Sequence, residues 1–155
     1  MGETADLSPT IVEALYCDAL QLADETRAAF DLSGRLTAAS EDEDLARIAL
    51  SCEALRTTTR MMHAIAWLLN QRAYFSGELS EFQLRRHGRL PPAQRDDNER
   101  NLARLDPLLV ELIERTERFY ARIERLDGAW RNHFAMHPAA IHRLRERLGG
   151  AVASL

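Results

Sequence analysis

The sequence has no lysine, few turn-forming residues and no long apolar segment. All twenty basic residues are arginines, and the 155 residues include only 7 glycines and 5 prolines. With 46% hydrophobic and 28% charged residues, this composition favours a globular helical protein over a sheet, which needs more turns. The most apolar segment, Met61–Leu69, is interrupted by His63 and is shorter than the roughly 20 residues that cross a membrane, so a membrane span is excluded.

The chain also lacks the sequence features that catalysis or nucleotide binding would require. Its glycines are dispersed and none precedes a GKS or GKT sequence, which excludes a phosphate-binding loop. The two cysteines, Cys17 and Cys52, lie among apolar residues, and the N-terminus lacks the basic and apolar regions of a signal peptide. We therefore expect packed, reduced thiols, a cytoplasmic location, no cofactor and no enzymatic activity.

Charge is divided unevenly along the chain. Residues 1–44 carry eleven acidic residues and two arginines, whereas residues 45–155 carry thirteen acidic residues and eighteen arginines. Opposite charges on two parts of a chain can steer partners of opposite sign, or they can pair along the rims where helices pack. The second interpretation is the simpler one, and the sequence leaves the first open.

The first long helix is predicted to begin at Ser8-Pro9, because a capping side chain there precedes a proline suited to the first helical position. It extends to about Asp31, after which the segment 33–39, containing Gly34, is predicted to turn the chain. Apolar or small residues recur in this helix at alternating spacings of three and four, which is typical of a face packed against other helices. They are Val12, Leu15, Ala19, Leu22, Thr26 and Ala29.

The second helix is predicted to follow a capping box formed by Ser40 and Glu43 and to end at Ser76-Gly77. At about 1.5 Å per residue it is on the order of 50 Å long, more than a compact bundle of this mass needs. Its regular row, predicted to pack inside the bundle, consists of Leu45, Ile48, Cys52, Leu55, Thr59, Met62, Ala66, Leu69 and Ala73. A second row, Met61, Ile65 and Leu68, widens the buried face of this helix and is predicted to contact a second chain, with a place in the core of one chain as the alternative.

A third long helix is predicted to begin at Asp106-Pro107, a cap followed by a first-turn proline, and to end near Gly128. A short helix with its own capping box is predicted over 80–88, and Pro138 is predicted to open a last amphipathic helix. The periodic residues of the third helix are Leu105, Leu109, Leu112, Thr116, Phe119, Ile123 and Leu126.

These elements predict an all-α fold, because three long helices with apolar stripes bury them by packing against one another. The predicted architecture is an antiparallel three-helix bundle with a short extra helix in the second connector and a C-terminal helix, dimerising through its long helices. Residues 1–150 are expected to form a single helical-bundle domain, followed by a flexible tail at 151–155.

Three histidines near the C-terminus suggest a metal site. His133, His137 and His142 are spaced about a helical turn apart, and imidazoles so placed can share a zinc ion. However, Pro138 interrupts the helical geometry between them, and no acid-bearing zinc motif or paired-cysteine pattern accompanies them. We predict no metal, and an enzyme with an unfamiliar metal site is the least favoured of three functional hypotheses.

The arginine-rich C-terminal third suggests a second hypothesis, a helical DNA-binding or transcription-regulating protein. Its arginines alternate with glutamates, and alternating charge is more typical of a solvated helix face than of a surface that follows phosphates. Nucleic-acid binding is therefore kept as the alternative function. The arginines in question include Arg115, Arg118, Arg122 and Arg125.

The run from Arg56 to Arg60 is unusual for a helix interior, since it places three β-branched threonines between two charges. Arg56 and Arg60 stand one turn apart, where they can pair with an acid of another helix or of a partner protein. An intrahelical bridge from Glu53 to Arg56 explains the pattern equally well.

The central helix combines arginines, threonines, a tryptophan and a glutamine in an order that a generic amphipathic helix would not produce. The segments are Glu53-Ala54-Leu55-Arg56-Thr57-Thr58-Thr59-Arg60-Met61-Met62, Ala66-Trp67-Leu68-Leu69-Asn70-Gln71-Arg72-Ala73 and Gly77-Glu78-Leu79-Ser80. Weaker matches are Leu15-Tyr16, Ala23-Asp24-Glu25-Thr26 and Arg122-Ile123-Glu124-Arg125-Leu126-Asp127. On these residues the chain resembles the RcdA family, formerly called DUF1465, over roughly residues 10–127. It departs from the family pattern after Gly128.

The resemblance implies a three-helix bundle that self-associates as a dimer and acts as a non-enzymatic adaptor. Such adaptors join the ClpXP protease, through its ClpX unfoldase and the receiver-domain protein CpdR, and help to deliver substrates such as cell-cycle transcriptional regulators. The family supplies no catalytic residues to carry over. For partner binding we select the polar and aromatic residues of the central motif. They are Arg56, Arg60, Trp67, Gln71 and Arg72.

Overall fold

Helices make up all of the regular secondary structure in the described part of the chain. The computed structural model describes residues 7–38, 44–94 and 98–135. The helices are α1 (Pro9–Ala38), α2 (Asp44–Phe75), α3 (Glu81–His87), α4 (Glu99–Leu102) and α5 (Pro107–Ala135). The prediction of an all-α fold is confirmed for these residues, and none of their helices is long and apolar enough to cross a membrane. The helix predicted after Pro138, the tail at 151–155 and the side chains of the three C-terminal histidines lie outside the described residues.

Local capping interactions explain why most helices begin where they do. The backbone N–H of Ile11 donates to Ser8 Oγ over 3.3 Å at the start of α1. At the start of α5, the N–H of Leu108 donates to Asp106 Oδ1 over 2.8 Å. Each side chain satisfies one of the N–H groups that a helix start leaves unpaired, so both predicted starts are confirmed.

The turn between α2 and α3 is also as predicted. Gly77 has a φ of 82°, and its N–H donates to Tyr74 O while the N–H of Glu78 donates to Ala73 O, which together close the helix end. Ser80 and Gln83 then exchange two hydrogen bonds between side chain and backbone, of 2.9 and 3.2 Å, that form a capping box for α3.

Two predicted helix ends are wrong, because both rest on glycines that remain helical. Neither Gly34 nor Gly128 has a positive φ, so α1 continues to Ala38 and α5 to Ala135. A Cβ at Gly34 would lie 4.0 Å from Leu50 Cδ2, so this glycine is placed where α1 approaches α2. Beyond Gly128, Arg131 Nε donates to Asp127 one turn earlier, which supports the continued helix.

The long helices do not all alternate in direction. α1 is antiparallel to α2, since its N-terminal Glu13 pairs with Arg72 near the end of α2 while Gly34 approaches Leu50 near the start. α2 and α5 run in the same direction, because Arg60 bonds Thr116 whereas Trp67, further along α2, bonds Asp127, further along α5. The predicted antiparallel arrangement therefore applies to α1 and not to the α2–α5 pair. The segment 76–106, with α3 and α4, makes this possible by returning the chain to the opposite end.

The face of α1 predicted to be buried is buried. Val12, Leu15, Ala19, Leu22 and Thr26 are each at most 6% exposed, and Ala29 packs beside them as a half-buried residue. They meet two clusters of α2 and α5 side chains, one around Trp67 and Ile123 and one around Leu50 and Ile113. The spacing of α1 was sufficient to identify its inner face because this helix has one apolar stripe.

The inner and outer faces of α2 are the reverse of those predicted. The predicted inner row is largely exposed, whereas Met61 and Leu68, predicted to contact a second chain, are 3% and 0% exposed within one chain. Ile65 is half-buried against the same core. A second chain cannot contact Met61 or Leu68 while this core remains packed. The inversion arises because both faces of α2 carry apolar residues at helical spacing, so periodicity alone cannot select one.

The cysteines differ from expectation in the same way. Cys17 and Cys52 are both exposed and are not joined in a disulfide, so the prediction that they pack as small apolar residues is wrong. Cys52 belongs to the row of α2 whose burial was wrongly assigned, and the adjacent members of that row, Ile48 and Leu55, are 58% and 70% exposed.

Candidate functional site

Two of the five residues selected for partner binding are buried. Trp67 is 2% exposed and its Nε1–H donates to Asp127 Oδ1 over 2.9 Å. Gln71 is 1% exposed, and neither its amide nitrogen nor its amide oxygen has a hydrogen-bond partner. Both side chains belong to the core, so the structure does not present them to another protein.

Arg72 joins α1 to α2. Its Nε donates to Glu13 Oε1 over 2.6 Å, and its guanidinium lies 4.5 Å from the centre of the Tyr16 ring. The hydrogen bond to Glu13 raises the pKa of Arg72. The arginine is thereby committed to an intramolecular contact at the surface, where solvent screening makes the contribution of an ion pair to stability small.

Arg56 and Arg60 are brought together at a cavity between α2, α5 and the connector before α4. Its volume is about 310 Å³, and α2 contributes Thr59 and His63 to the lining as well as the two arginines. We name it the arginine cavity. The remaining lining residues are Pro91, Pro92, Ala93, Gln94, Asn98, Glu117 and Tyr120.

Arg60 crosses from α2 to α5 and is fixed there. Its Nη1 donates to Thr116 Oγ1 over 2.9 Å and its Nη2 to Glu117 Oε1 over 3.3 Å, while its side chain is 13% exposed. Burial lowers the pKa of Arg60, and the carboxylates of Glu117 and Glu53 oppose this effect. The structure thus holds a largely desolvated positive charge beside the cavity, where attraction to an anion is stronger than in bulk water.

Glu53 holds Arg56 and the connector in place. This carboxylate is 0% exposed and accepts hydrogen bonds from Arg56 Nη1, Asn98 Nδ2 and Asn101 Nδ2 over 3.2–3.3 Å. The bridge from Glu53 to Arg56 suggested by the sequence is therefore present, and it is part of a larger cluster. The two asparagines were not identified from the sequence, since a polar connector gives no periodic signal.

The opposite wall of the cavity is fixed to α5 by two further hydrogen bonds. The hydroxyl of Tyr120 donates to the carbonyl of Pro91, and the N–H of Ala93 donates to Glu124 Oε1 over 3.0 Å. Burial, and then the charge of Glu124, raise the pKa of Tyr120 to about 12. The described parts of the connector are therefore attached to α2 through Glu53 and to α5 through Tyr120 and Glu124.

A second candidate surface is the exposed apolar row of α2. We name it the outer row and define it as Leu45, Ile48, Cys52, Leu55, Thr59, Met62, Ala66, Leu69 and Ala73. Its five large aliphatic members, Leu45, Ile48, Leu55, Met62 and Leu69, are 44–70% exposed. Thr59 and Ala73 are half-buried, and the other members are exposed. The row keeps its alternating spacing of three and four residues along the whole of α2, and none of its members is charged. The contact row of a coiled coil has the same pattern.

The inner face of α2 is less apolar than the outer row, which is the opposite of what burial in one chain would produce. Glu53, Thr57 and Gln71 are 0–1% exposed on the inner face, whereas the outer row has one polar member, Thr59. The regular spacing of the outer row predicted burial inside the bundle, and within one chain this prediction is wrong.

Other candidate sites are weaker. Among the described residues, no three histidine, cysteine or acidic side chains are grouped as metal ligands. The arginines of α5 line a groove with Asp18 and Gln21 of α1, and Arg115 there donates to Glu25 over 3.0 Å. Hydrogen bonds from Gln21 and Arg115 lower the pKa of Glu25. This pairing supports the interpretation of the divided charge as complementary rims.

The family of the chain follows from sequence comparison. The model of a family of proteins of unknown function, DUF1465, matches residues 3–152. The match continues past Gly128, so the interpretation that the chain departs from the family there is wrong. A search of curated proteins and a search of solved structures each find no match. Because the match covers nearly all of its length, the chain belongs to the DUF1465 family.

Proposed function

We propose that this protein is a non-enzymatic, cytoplasmic adaptor that acts as a homodimer and helps to deliver regulatory substrates to the ClpXP protease with a CpdR-type receiver protein. Membership in the DUF1465 family and the resemblance of the central helix to RcdA support the assignment. The observation that carries it is the outer row of α2. A protein that binds other proteins needs an exposed apolar surface, and the outer row is exposed in the single chain.

The outer row suits a second copy of the same chain. An apolar row with seven-residue periodicity packs best against an equivalent row, because each side chain then enters a gap between side chains of the facing helix. Two copies of this row in contact would bury on the order of 1,000 Å², about the lower limit for a specific interface. Exposed apolar patches of this extent on soluble proteins commonly mark interaction sites.

The adaptor mechanism requires no bond making or breaking by the protein itself. An adaptor that holds a substrate near the unfoldase raises the local concentration of that substrate, so two modest interfaces together give efficient and reversible delivery. A homodimer doubles the number of such interfaces. The polar surfaces beside the outer row remain open to the other partners in this arrangement.

Degradation of candidate transcriptional regulators by ClpXP tests the proposal. The rate is measured with CpdR present, with and without this protein, and again with CpdR withheld. We expect acceleration only when both proteins are present. Unchanged rates together with no binding to ClpX or CpdR would refute the adaptor function.

The alternative, a DNA-binding protein using the arginines of α5, makes a different prediction in a separate measurement. Binding to duplex DNA that saturates at a definite site size and weakens steeply with added salt would favour it. The adaptor proposal expects weak binding without a defined site size, because α5 arginines such as Arg115 are paired with carboxylates of α1.

A further inference from the structure

An open groove lies between α1 and α5, and we name it the α1–α5 groove. Its volume is about 550 Å³, and none of the described α2 residues lines it. Leu22 and Phe119 form its floor, and both belong to the apolar cluster around Trp67. Its rims are polar and are formed by Asp18 and Gln21 on α1 and by Arg115, Arg118 and Arg122 on α5. A segment bound in this groove would contact α1 and α5 and leave α2 uncovered.

Two of the glutamates that alternate with arginines in the sequence of α5 are used away from this groove. Glu117 accepts from an arginine of α2, and Glu124 accepts from a backbone N–H of the connector. The three arginines of the rim recur at spacings of three and four, so they share one side of α5. Charges that alternate along the sequence are therefore partly separated in space, and the α5 rim of the groove is positive.

Two arginines of this rim are free. Arg115 pairs with Glu25 of α1 over 3.0 Å, whereas Arg118 and Arg122 are exposed and make no hydrogen bond or ion pair with the described residues. Arg118 and Arg122 stand four residues apart, which is about 6 Å along a helix. Each guanidinium has five donors and binds a carboxylate through a planar fork. A ligand with two carboxylates about one helical turn apart matches this pair.

We propose that the α1–α5 groove binds an acidic helical segment of a partner protein, with carboxylates on Arg118 and Arg122 and an apolar side chain on the floor. Glutamates four residues apart in a helix have the same spacing as the two arginines, which suits a helix laid along α5. Asp18 on the opposite rim repels a ligand that is acidic on all sides, so the segment faces α1 with neutral or basic residues. A nucleic-acid strand carries a charge on every nucleotide and would bring phosphates close to Asp18 as well.

The groove and the outer row lie on different faces of the bundle. The inner face of α2 packs against α1 and α5, and the outer row is exposed on the other face of α2. A homodimer formed through the outer row therefore leaves the groove of each copy open to another protein. The proposal deepens the adaptor function by naming the chemistry of one partner, and it rests on that function only in that the ligand belongs to another protein.

The test uses a blocked helical peptide that carries glutamates one turn apart with a leucine beside them, and two variants of this peptide. One variant replaces the glutamates with glutamines, and the other replaces the leucine with alanine. Binding of each labelled peptide to the full chain is measured by fluorescence anisotropy at physiological ionic strength. We expect saturable binding of the glutamate peptide and at least about tenfold weaker binding of both variants, because one lacks the charges and the other lacks the apolar contact.

Arg118→Gln combined with Arg122→Gln should weaken binding of the glutamate peptide about tenfold, because both guanidiniums that pair with it are removed. Arg100→Gln combined with Arg104→Gln is the matched control. Arg100 and Arg104 are also exposed and four residues apart, but they lie in α4 and just after it. The control removes the same charge at a distance from the groove, so binding should change less than about twofold.

Equal affinity of the glutamate peptide and either peptide variant, equal losses in the two double variants of the protein, or no saturable binding would each overturn the proposal. Single-stranded DNA with the same net charge as the glutamate peptide is titrated in parallel. Tighter binding of this DNA that is lost in Arg118→Gln/Arg122→Gln would assign the groove to nucleic acid instead. The peptide comparison on the unaltered chain decides the matter even if a variant does not fold. It involves neither ClpXP nor CpdR, so failure of the groove is distinguishable from failure of the adaptor function.

Discussion

At the scale of single residues, the polar side chains inside the helical core differ in whether they are hydrogen-bonded. Asp127 accepts from Trp67 and Arg131, and Glu53 accepts from three donors. Thr57 Oγ1 and both amide atoms of Gln71 are buried without a partner. A buried polar atom without a partner lowers the free energy of unfolding by about 1–3 kcal/mol. The unpartnered atoms of Thr57 and Gln71 therefore reduce the stability of the single chain.

Thr57 and Thr26 provide a matched pair for this argument. They are 1% and 3% exposed, but the Thr26 hydroxyl donates to Leu22 O over 2.6 Å whereas the Thr57 hydroxyl has no partner. We expect Thr57→Val to raise the free energy of unfolding by about 1 kcal/mol relative to Thr26→Val. Urea denaturation of both variants measures the difference. Equal effects would show that Thr57 is satisfied by a bound water or another group.

The raised pKa of Tyr120 predicts that stability depends on pH in the alkaline range. Its pKa is raised from 10.0 to about 12 in the folded protein, so folding favours the protonated phenol. The resulting stability is fully present below pH 10 and is lost progressively as the pH rises from about 10 through 12. Denaturation across this range should show a steeper decline for the unaltered protein than for Tyr120→Phe. A phenol at position 120 that ionises near pH 10 in the folded state would contradict the prediction.

Among substitutions of polar residues, we expect one at Glu53 to lower the free energy of unfolding the most. Glu53→Ala removes the acceptor of Arg56, Asn98 and Asn101 and leaves a void in a fully buried position. We expect a loss of about 2–4 kcal/mol in the free energy of unfolding. Hydrogen exchange of the amides in 98–102 should accelerate, because these residues lose their attachment to α2. Protection unchanged in 98–102 would show that another contact holds the connector.

At the scale of elements, the two faces of α2 make opposite predictions for the same type of substitution. Met62 on the outer row is 64% exposed, so Met62→Glu should preserve the helical circular dichroism and convert a dimer to a monomer in sedimentation experiments. Leu108→Glu is the control, since Leu108 is 73% exposed outside the outer row. A dimer that is unaffected by Met62→Glu would place the interface elsewhere.

Leu68→Glu should instead unfold the chain, because Leu68 is 0% exposed and an unpaired buried charge is strongly destabilising. The loss of helical signal at moderate temperature would measure this. Retention of the fold would show that the core around Trp67 tolerates a carboxylate, contrary to its packing.

Helix starts could be predicted from the sequence because capping is local. Ser8, Asp106 and the Ser80–Gln83 pair each act within three residues, and each performs the predicted role. Helix ends at Gly34 and Gly128 could not be predicted in the same way. A helical glycine costs about 1 kcal/mol relative to alanine, which the packing of a long helix readily offsets. The existence of α4 was missed because it has four residues and no buried side chain.

The candidate site was predictable only in part for a related reason. The run from Arg56 to Arg60 contains three threonines, which are unfavourable inside a helix, so the sequence alone marked this run as unusual. Trp67 and Gln71 are residue types common on recognition surfaces, yet they are only 2% and 1% exposed. Both faces of α2 carry apolar residues at helical spacing, so periodicity could not select the face that packs against α1 and α5.

At the scale of the whole molecule, the opposite charges on the two parts of the chain pair with each other within one molecule. Acidic side chains of α1 pair with arginines of both neighbouring helices, as Glu13 does with Arg72 and Glu25 with Arg115. These pairs are partly exposed, so solvent and salt screen them and their contribution to stability is small. The charge division therefore adds contacts between α1 and both of its neighbours but little to the stability of the fold.

The parallel course of α2 and α5 also sorts the chain ends. α1 begins, and α5 ends, beside the C-terminal half of α2, so the first and last described residues lie at the same end of the described structure. Two copies joined side by side in the same direction along the outer row would therefore bring four of these chain ends to one pole. Two copies joined head to tail would divide them between opposite poles. In a dimer formed through the outer row, the orientation of the two copies would thus determine whether their chain ends face one common partner or two separate ones.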